Sequence, residues 1–432
     1  MTEQLRTENG VGSPPKSNRR AQAGVLVACT VGNMVGLTVS VTTVFSLFLV
    51  PISQEFRWPR ATVSGVLALL AVIGVIVSPL AGRLADRFGP RRVILAGQLL
   101  FAPAVAALSL AKPSVFQFYL LFGLVGLAGS IASSAAAYTK MICSWFDDAR
   151  GTALGVMGGV GNGVGAAIFP FVAIRLLERF GWRDAWVGIA LIVLCVGVPI
   201  MAALLRDPPA PSAPGLGTKA TAPSGLSPAQ ALRTGPFWLI LIAIALGAGC
   251  MTAVFVHVVP LLTDRRFDEK LATNVLITFA LVTAGWQVVV GWLLDRTASP
   301  RVVVPMYISA IAGLGLLTFA GAPPGLFAGG ALLGIGLGAE YGALPYLVSR
   351  YFGLRAFGVI SGLMYSVVIL SQGITPVLMD AVFDRTGSYR PAIYAVSALL
   401  LASSGLMFLL PRLKRRPPLR DAKEPMASPI GP

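Results

Sequence analysis

Charged residues are scarce in this sequence. Only 12% of its 432 residues are Asp, Glu, Lys or Arg, whereas charged residues make up about 25% of a typical soluble domain. A water-soluble protein needs charged side chains to cover its surface, but a chain surrounded by lipid does not. With 55% apolar residues, the composition excludes an ordinary soluble protein and indicates a membrane protein.

Residues that bind metals or carry out chemistry are also rare. The chain has one histidine and four cysteines, and no cysteine lies in a CxxC pair or at metal-ligand spacing from the histidine. We therefore expect no metal site and no cofactor. No Walker-type nucleotide-binding segment occurs, which argues against a pump driven by ATP. The loops contain no cluster of Asp, His or Cys, which argues against a membrane-embedded enzyme.

Acidic residues are outnumbered by basic ones. The sequence has 34 Lys and Arg against 18 Asp and Glu, a net charge of +16. The basic residues lie in short loops and in both tails and do not form one patch interleaved with aromatic residues, so we expect no nucleic-acid partner. About two thirds of them lie on the side of the two termini, which predicts cytoplasmic termini in the inner (plasma) membrane.

Long uncharged stretches make up most of the sequence between the loops and tails. A helix needs about 20 mainly apolar residues to cross the hydrocarbon core. The predicted spans are residues 25–52, 63–81, 93–110, 115–139, 153–174, 185–205, 237–262, 271–294, 302–319, 326–347, 357–379 and 392–410. The sequence therefore predicts twelve transmembrane helices.

One polar segment divides the predicted spans into two groups of six. Residues 206–234 are rich in Pro, Ala, Ser and Gly and predict a flexible cytoplasmic linker, with a short helix after Ser227 and Pro228. We expect an N-terminal tail over residues 1–20, a first bundle over 21–205, a second over 235–413 and a C-terminal tail over 414–432.

The two groups resemble each other in sequence. GRLADR at residues 82–87 recurs as GWLLDR at residues 291–296, and WF at residues 145–146 recurs as YF at residues 351–352. The order is the same and the shift is about 206 residues throughout. The repeat predicts two pseudo-symmetric six-helix bundles.

These residues carry a resemblance to a known family. GRLADRFGPRR at residues 82–92 resembles the loop signature of the major facilitator superfamily, with Pro90 inserted after Gly89. WFDDARGTALGVMGGVGNGVGAAIFP at residues 145–170 and HVVPLLTDRRF at residues 257–267 resemble its branch of monocarboxylate porters and oxalate/formate antiporters.

The resemblance implies an all-α membrane protein that works as a secondary active transporter. It would move a small organic anion, a monocarboxylate or dicarboxylate, by alternating access, with proton coupling or exchange. The expected partners are this anion, the lipid bilayer and protons, and we expect a monomer. The alternative is a proton-coupled exporter of drugs or metabolites, although residues 169–170 are Phe-Pro where such exporters carry Gly-Pro.

The loop signature also implies a conformational gate. In family members the acid of this loop pairs with basic groups and with the N-terminus of a neighbouring helix. The gate residues carried over are Gly82, Asp86, Arg87, Arg91, Asp295 and Arg296. The alternative is that these charges only set orientation and cover the surface.

Few ionisable residues lie inside the spans, where they usually face the bundle interior. Glu340, beside Tyr341, would be a protonatable group of the central cavity or a structural hydrogen-bonding partner. His257 would couple transport to protons, because an imidazole exchanges a proton near neutral pH, or would be a packing residue. Lys140 would attract an anion or extend to the membrane surface.

Other polar residues in the spans are weaker candidates for substrate binding. These are Gln287, Tyr138, Tyr365, Asn162 and Thr42. The eighth span departs from carboxylate carriers of the resembled branch, because residues 274–294 contain no Arg and no Lys. Capture of a carboxylate by a guanidinium at that position is therefore excluded.

The topology leads to a first prediction. A reporter fused after Leu413, or inserted within residues 214–217, should lie in the cytoplasm, and a tag within residues 265–270 should be accessible from outside. Fluorescence and protease accessibility in whole cells would measure this. Reporters at the first two positions on opposite sides would contradict the twelve-span assignment.

Overall fold

The computed structural model describes residues 16–207 and 225–411. Within these residues the backbone is almost entirely helical and forms no β-strand. Eleven stretches are long and apolar enough to cross a membrane. One of them, Arg150–Leu204, has 55 residues and would extend about 80 Å as a straight helix, far more than the hydrocarbon core of about 30 Å.

Gly181 divides this long stretch into two helices. Its φ of 77° and ψ of 173° are not helical, and glycine adopts this backbone conformation without steric cost. Twelve helices result: α1 Arg19–Phe56, α2 Arg60–Phe88, α3 Pro90–Leu110, α4 Val115–Trp145, α5 150–180, α6 182–204, α7 Gly235–Asp264, α8 Glu269–Thr297, α9 Pro300–Phe319, α10 Pro323–Phe352, α11 Phe357–Thr386 and α12 Arg390–Leu409. The predicted class, an all-α membrane protein with twelve helices, is confirmed.

Local sequence explains where the helices begin and end. Asp268 caps α8 by accepting hydrogen bonds from the Lys270 and Leu271 amides, and Pro90 opens α3, where a missing N–H costs nothing. The short helix predicted after Ser227 is present as Pro228–Leu232, with a capping box between Ser227 and Gln230.

The two bundles meet along two seams. In one seam α2 of the first bundle lies against α11 of the second, and in the other α5 lies against α8. These are the helices that contain or follow the repeated motifs. Residues 208–224 of the expected linker, most of the N-terminal tail and the whole of the C-terminal tail lie outside the described residues, so the domain boundaries stay a prediction.

Candidate functional site

Two carboxylates at one end of the molecule each bind a helix N-terminus of the opposite bundle. Asp86, near the end of α2, accepts hydrogen bonds from the amides of Gly358 (3.0 Å) and Val359 (2.9 Å) at the start of α11. Asp295, near the end of α8, accepts them from the amides of Gly151 (2.7 Å) and Thr152 (2.8 Å) at the start of α5. A helix N-terminus has free N–H groups and a partial positive charge, which suit a carboxylate.

Glycine makes these contacts possible. Gly82 lies one helical turn before Asp86, and a Cβ atom at Gly82 would collide with the backbone of Gly358. In the other seam, Gly151 and Gly291 stand in the same relation, since a Cβ atom on either would collide with the backbone of its partner. Without side chains the two backbones approach closely, and the carboxylate one turn away reaches the exposed amides.

The seam between α2 and α11 is tight at this end and separates toward the other. A Cβ atom on Gly362 would lie 2.6 Å from the Ser78 carbonyl oxygen, and one on Gly74 would lie 4.0 Å from Ile369. A Cβ atom on Gly373, one turn beyond Ile369, would have nothing from another helix within 4 Å. We call the end with the α2–α3 and α8–α9 loops the gate end, and in this structure it is closed.

The seam between α5 and α8 behaves in the same way. Positions Gly155 and Gly159 lie directly against the backbone of α8, and a Cβ atom on Gly163 would be 2.8 Å from that of Ala284. One turn further from the gate end, Ala167 and Ala280 are exposed. The two halves therefore touch at the gate end and diverge away from it.

Lys140 differs from both sequence-based expectations. Its ammonium lies 2.6 Å from the Asp86 carboxylate and donates a second hydrogen bond to the Ala85 carbonyl (3.2 Å). Both side chains of the ion pair are 14% exposed. In this state the Asp86 carboxylate at the gate end holds the ammonium, since α4 lies beside α2, and the side chain does not extend into solvent.

The arginines of the loop signature do not contact the gate carboxylates. Arg87 is exposed, with its guanidinium 5.2 Å from the ring centroid of Phe88, and Arg91 lies 3.9 Å from Asp207. Arg296 lies over the Trp292 ring at 4.1 Å. The expected pairing of Asp86 with loop arginines is thus replaced by pairing with Lys140, because these arginines point away from the seams.

A second polar contact between the bundles was missed in the sequence. Arg150 is 7% exposed and donates to Ser349 of α10 (3.2 Å) and to the Cys143 carbonyl (3.1 Å). Arg350 of α10 donates to the backbone carbonyl of Asp147 (3.1 Å). Arg150 lies within residues 145–170, which carry the family resemblance, but Ser349 is 199 positions away and only packing reveals this contact.

Glu340 lies inside the second bundle. It is 2% exposed, and neither carboxylate oxygen has a hydrogen-bond partner among the described residues. Gly336, one turn before it, packs against Ala310 and Met306 of α9. The expectation that Glu340 lines the central cavity is not met in this structure. Its neighbour Tyr341 is 45% exposed instead, and the Tyr341 hydroxyl accepts a hydrogen bond from Gln372 of α11 (3.3 Å).

His257 is paired with a residue that the sequence did not indicate. Its Nδ1 lies 2.7 Å from the Ala253 carbonyl and its Nε2 lies 2.8 Å from the Asp380 carboxylate of α11. The imidazole is 4% exposed and the carboxylate is 59% exposed. Both ring nitrogens face acceptors, so both contacts are hydrogen bonds only if the imidazole or the carboxyl carries an additional proton.

The weaker candidates are scattered. Tyr138 is fully buried in the first bundle, where its hydroxyl meets Gln98 and Met201, so it is not available to a solute in this state. Gln287 is buried in the α5–α8 seam beside Gly158. The remaining three are more accessible: Asn162 and Thr42 are exposed and Tyr365 is half-buried. Among the described residues no cluster could hold a metal ion.

Comparison with known proteins agrees with this architecture. The family described as the Major Facilitator Superfamily matches residues 29–376. The chain belongs to this superfamily. It is therefore a multi-pass membrane transporter and not an enzyme.

The relatives of this chain include monocarboxylate transporters, at modest sequence identity. Monocarboxylate transporter 13 of Bos taurus is 29% identical over 380 residues, covering 85% of this chain and 84% of the relative. Monocarboxylate transporter 11 of Homo sapiens is 26% identical over 409 residues, covering 90% and 83%. The uncharacterized MFS-type transporter YhjX of Escherichia coli is 26% identical over 334 residues, covering 74% and 79%.

Solved structures share the fold. The human organic anion transporter MFSD10 (TETRAN) has a TM-score of 0.67 at 16% identity, covering 91% of this chain and 100% of its own. The transporter FucP in the outward conformation has a TM-score of 0.68 at 15% identity, covering 90% and 98%.

The gate geometry leads to a second prediction. Asp86→Asn keeps the shape and removes the charge, so the hydrogen bonds to the α11 amides lose their charge assistance. We expect normal insertion and largely retained ligand binding, with transport slowed several-fold because the closed gate forms less readily. Flux in proteoliposomes and a thermal-shift binding assay would measure this.

Asp148→Asn is the matched control, because it makes the same charge change on an exposed residue of the same end. Flux of Asp86→Asn equal to that of Asp148→Asn would show that the Asp86 carboxylate does not gate transport.

Proposed function

We propose that the protein carries small organic anions, of the monocarboxylate or dicarboxylate class, across the plasma membrane by alternating access. The observation that carries this proposal is the pair of carboxylate–helix contacts of Asp86 and Asp295 between the bundles, both at one end of seams that diverge toward the other. Rocking one bundle against the other would break both contacts and open this end.

The choice of an anion rests on the relatives, several of which are named monocarboxylate transporters. The candidate anchors are neutral donors, because Lys140 is already paired with Asp86 and no Arg or Lys lies within residues 274–294. Tyr341 and Gln372 meet between α10 and α11, and a phenol and an amide can both donate to a carboxylate. We propose that this pair contacts the solute.

Proton coupling has two candidate groups in the second bundle. Glu340 is almost completely buried and has no hydrogen-bond partner among the described residues, and a charge in such a place is costly. A neutral acid there could release its proton only when a conformational change brings water to it. His257 could receive protons through Asp380, which is exposed beside it. We propose that Glu340 couples transport to proton movement and that His257 delivers protons to Glu340.

One observation favours a different substrate. Residues 274–294 contain no positively charged side chain, although a carboxylate carrier would hold a guanidinium there. A neutral or cationic drug or metabolite needs no such anchor, so a proton-coupled exporter of the same fold is the second candidate. Both functions use the same gate and differ in the solute.

We further propose that the gate end faces the cytoplasm, together with both termini, and that the protein acts as a monomer. The basic residues of the loops support this orientation. Asp86 and Asp295 would then close the inner end while solute enters from outside.

The direct test is flux in proteoliposomes with an imposed pH gradient. Labelled L-lactate and oxalate represent the two anion classes, and ethidium represents a cationic drug. Uptake of either anion above that of protein-free liposomes supports the proposal, and Asp86→Asn should reduce it. Transport of ethidium without lactate or oxalate would favour the exporter, whereas no flux of any of the three would contradict both.

A third prediction concerns Glu340. Glu340→Gln mimics the neutral acid permanently, so it should still exchange substrate between equal pools but no longer accumulate it against a gradient or respond to pH. Counterflow and gradient-driven uptake in proteoliposomes separate the two activities. Glu178→Gln, the same change at an exposed position, is the control and should behave like the native protein.

The alternatives give distinct results. Accumulation by Glu340→Gln at the native level would mean that Glu340 is structural and not a coupling group. Failure of Glu340→Gln to express would indicate a structural role in the bundle, and coupling would then rest with His257.

A further inference from the structure

At the end of the molecule opposite the gate end, an ion pair closes the first bundle. The Arg183 guanidinium, at the start of α6, pairs with Glu55 near the end of α1 and donates to the Ala111 carbonyl just after α3 (3.0 Å). The Glu55 carboxylate also accepts a hydrogen bond from the Trp182 indole (2.5 Å). These contacts hold the ends of α1, α3 and α6 together.

The internal repeat identifies the corresponding residues of the second bundle. EFRW at residues 55–58 recurs as DRRF at residues 264–267, and WR at residues 182–183 recurs as YR at residues 389–390. The arginine that is third in the first motif has a positive φ in both bundles, 55° and 64°, so the chain leaves the first helix of each bundle in the same way. An aspartate therefore replaces the glutamate, whereas the arginine that pairs with it is kept.

Within the described residues the second bundle lacks this ion pair. Arg265, just after α7, donates instead to the carbonyls of Leu317 and Ala320 (2.7 Å) at the end of α9. Neither Asp264 nor Arg390 takes part in any ion pair described for the chain. The aspartate side chain is one methylene shorter than that of a glutamate, so the Arg390 guanidinium is left without a carboxylate.

A cavity of about 170 Å³ lies where the ion pair would be, a volume of about six water molecules. Arg265, Arg390, Ser388 and Asp264 line it, and most of its remaining wall is apolar. Partial burial and the nearby positive charge of Arg390 lower the pKa of Arg265, which places the two guanidinium groups close to each other. An anion between two guanidinium groups relieves their repulsion and accepts charge-assisted hydrogen bonds.

Tyr389 adds a neutral donor to this cavity. It stands where the first bundle has Trp182, whose indole donates to Glu55. Burial and the negative charges of nearby carboxylates, Asp380 foremost, raise the pKa of Tyr389, so its hydroxyl keeps its proton and can donate. The same carboxylates repel an anion, which would therefore bind on the side of the guanidinium groups.

We propose that this cavity binds a small carboxylate from solution, which accepts hydrogen bonds from Arg390 and Tyr389 as Glu55 does from the corresponding residues of the first bundle. Arg390 is exposed, so a solute can reach it. The inference goes beyond the proposed transport function, because the site lies at the end opposite the gate and does not include Tyr341.

Modification of arginines by phenylglyoxal tests the proposal at the site itself. The protein is placed in nanodiscs of phosphatidylcholine, which contain no anionic lipid, and mass spectrometry follows each arginine separately. We expect sodium acetate at about 50 mM to slow the modification of Arg390 at least about twofold relative to sodium chloride at the same concentration, which corresponds to a Kd of about 50 mM or below. Arg179, exposed at the same end of the first bundle, should react equally in both salts.

Asp264→Glu is the decisive variant, because it gives the second bundle a carboxylate of the same reach as Glu55. This carboxylate should occupy the site, so that Arg390 reacts slowly in both salts and acetate no longer protects it. Asp384→Glu makes the same change on an exposed residue of the same end and should keep the protection. Asp264→Asn removes a competing negative charge and should give protection at least as strong as in the native protein.

Three results would overturn the proposal. The first is equal modification of Arg390 in acetate and in chloride in the native protein. The second is protection that persists unchanged in Asp264→Glu, or is lost in Asp264→Asn, because acetate would then act elsewhere. The third is slow modification in both salts that becomes fast in detergent, which would indicate a lipid phosphate in the cavity. None of these results bears on the flux tests of the gate.

Discussion

A carboxylate bound to the N-terminus of a helix from the other bundle is the contact on which the closed end of this transporter depends. Such a charge–dipole contact contributes about 0.3–1 kcal/mol at an exposed site and up to about 2 kcal/mol when partly buried. It forms here only because glycines such as Gly82 and Gly358 let two backbones meet. The close approach of two backbones and the contact of the carboxylate with a helix N-terminus therefore occur together, once in each seam.

Polar groups at membrane depth are few, and most of them are paired. Lys140 has Asp86, and His257 has Asp380, as expected where an isolated charge is costly. Glu340 is an exception, since neither of its oxygens is hydrogen-bonded within the described part of the chain. An exception of this kind is more typical of a group that changes protonation during function than of a structural residue.

The internal repeat gives both bundles the same arrangement of helices. The bundles differ at positions where the repeat is not kept. The acids at 86 and 295 and the glycines one turn before them recur with the same contacts. The partner on the neighbouring helix does not recur, since Lys140 pairs with Asp86 in one half whereas Tyr346 donates to the Leu294 carbonyl in the other. The two seams therefore share their backbone contacts and differ in the side chain beside the acid.

The sequence alone determined the class, the twelve helices, the repeat and the place of Asp86 in the loop signature after α2. These features depend on local composition, on the length of the apolar stretches and on a motif with fixed spacing. All of these can be recognised in the sequence without knowing the fold. Tertiary structure decided that Lys140 pairs with Asp86, that Glu340 points into its own bundle and that Asp380 meets His257. The partners lie 54 and 123 positions apart, and the direction of a side chain depends on which helices surround its own, which no local pattern encodes.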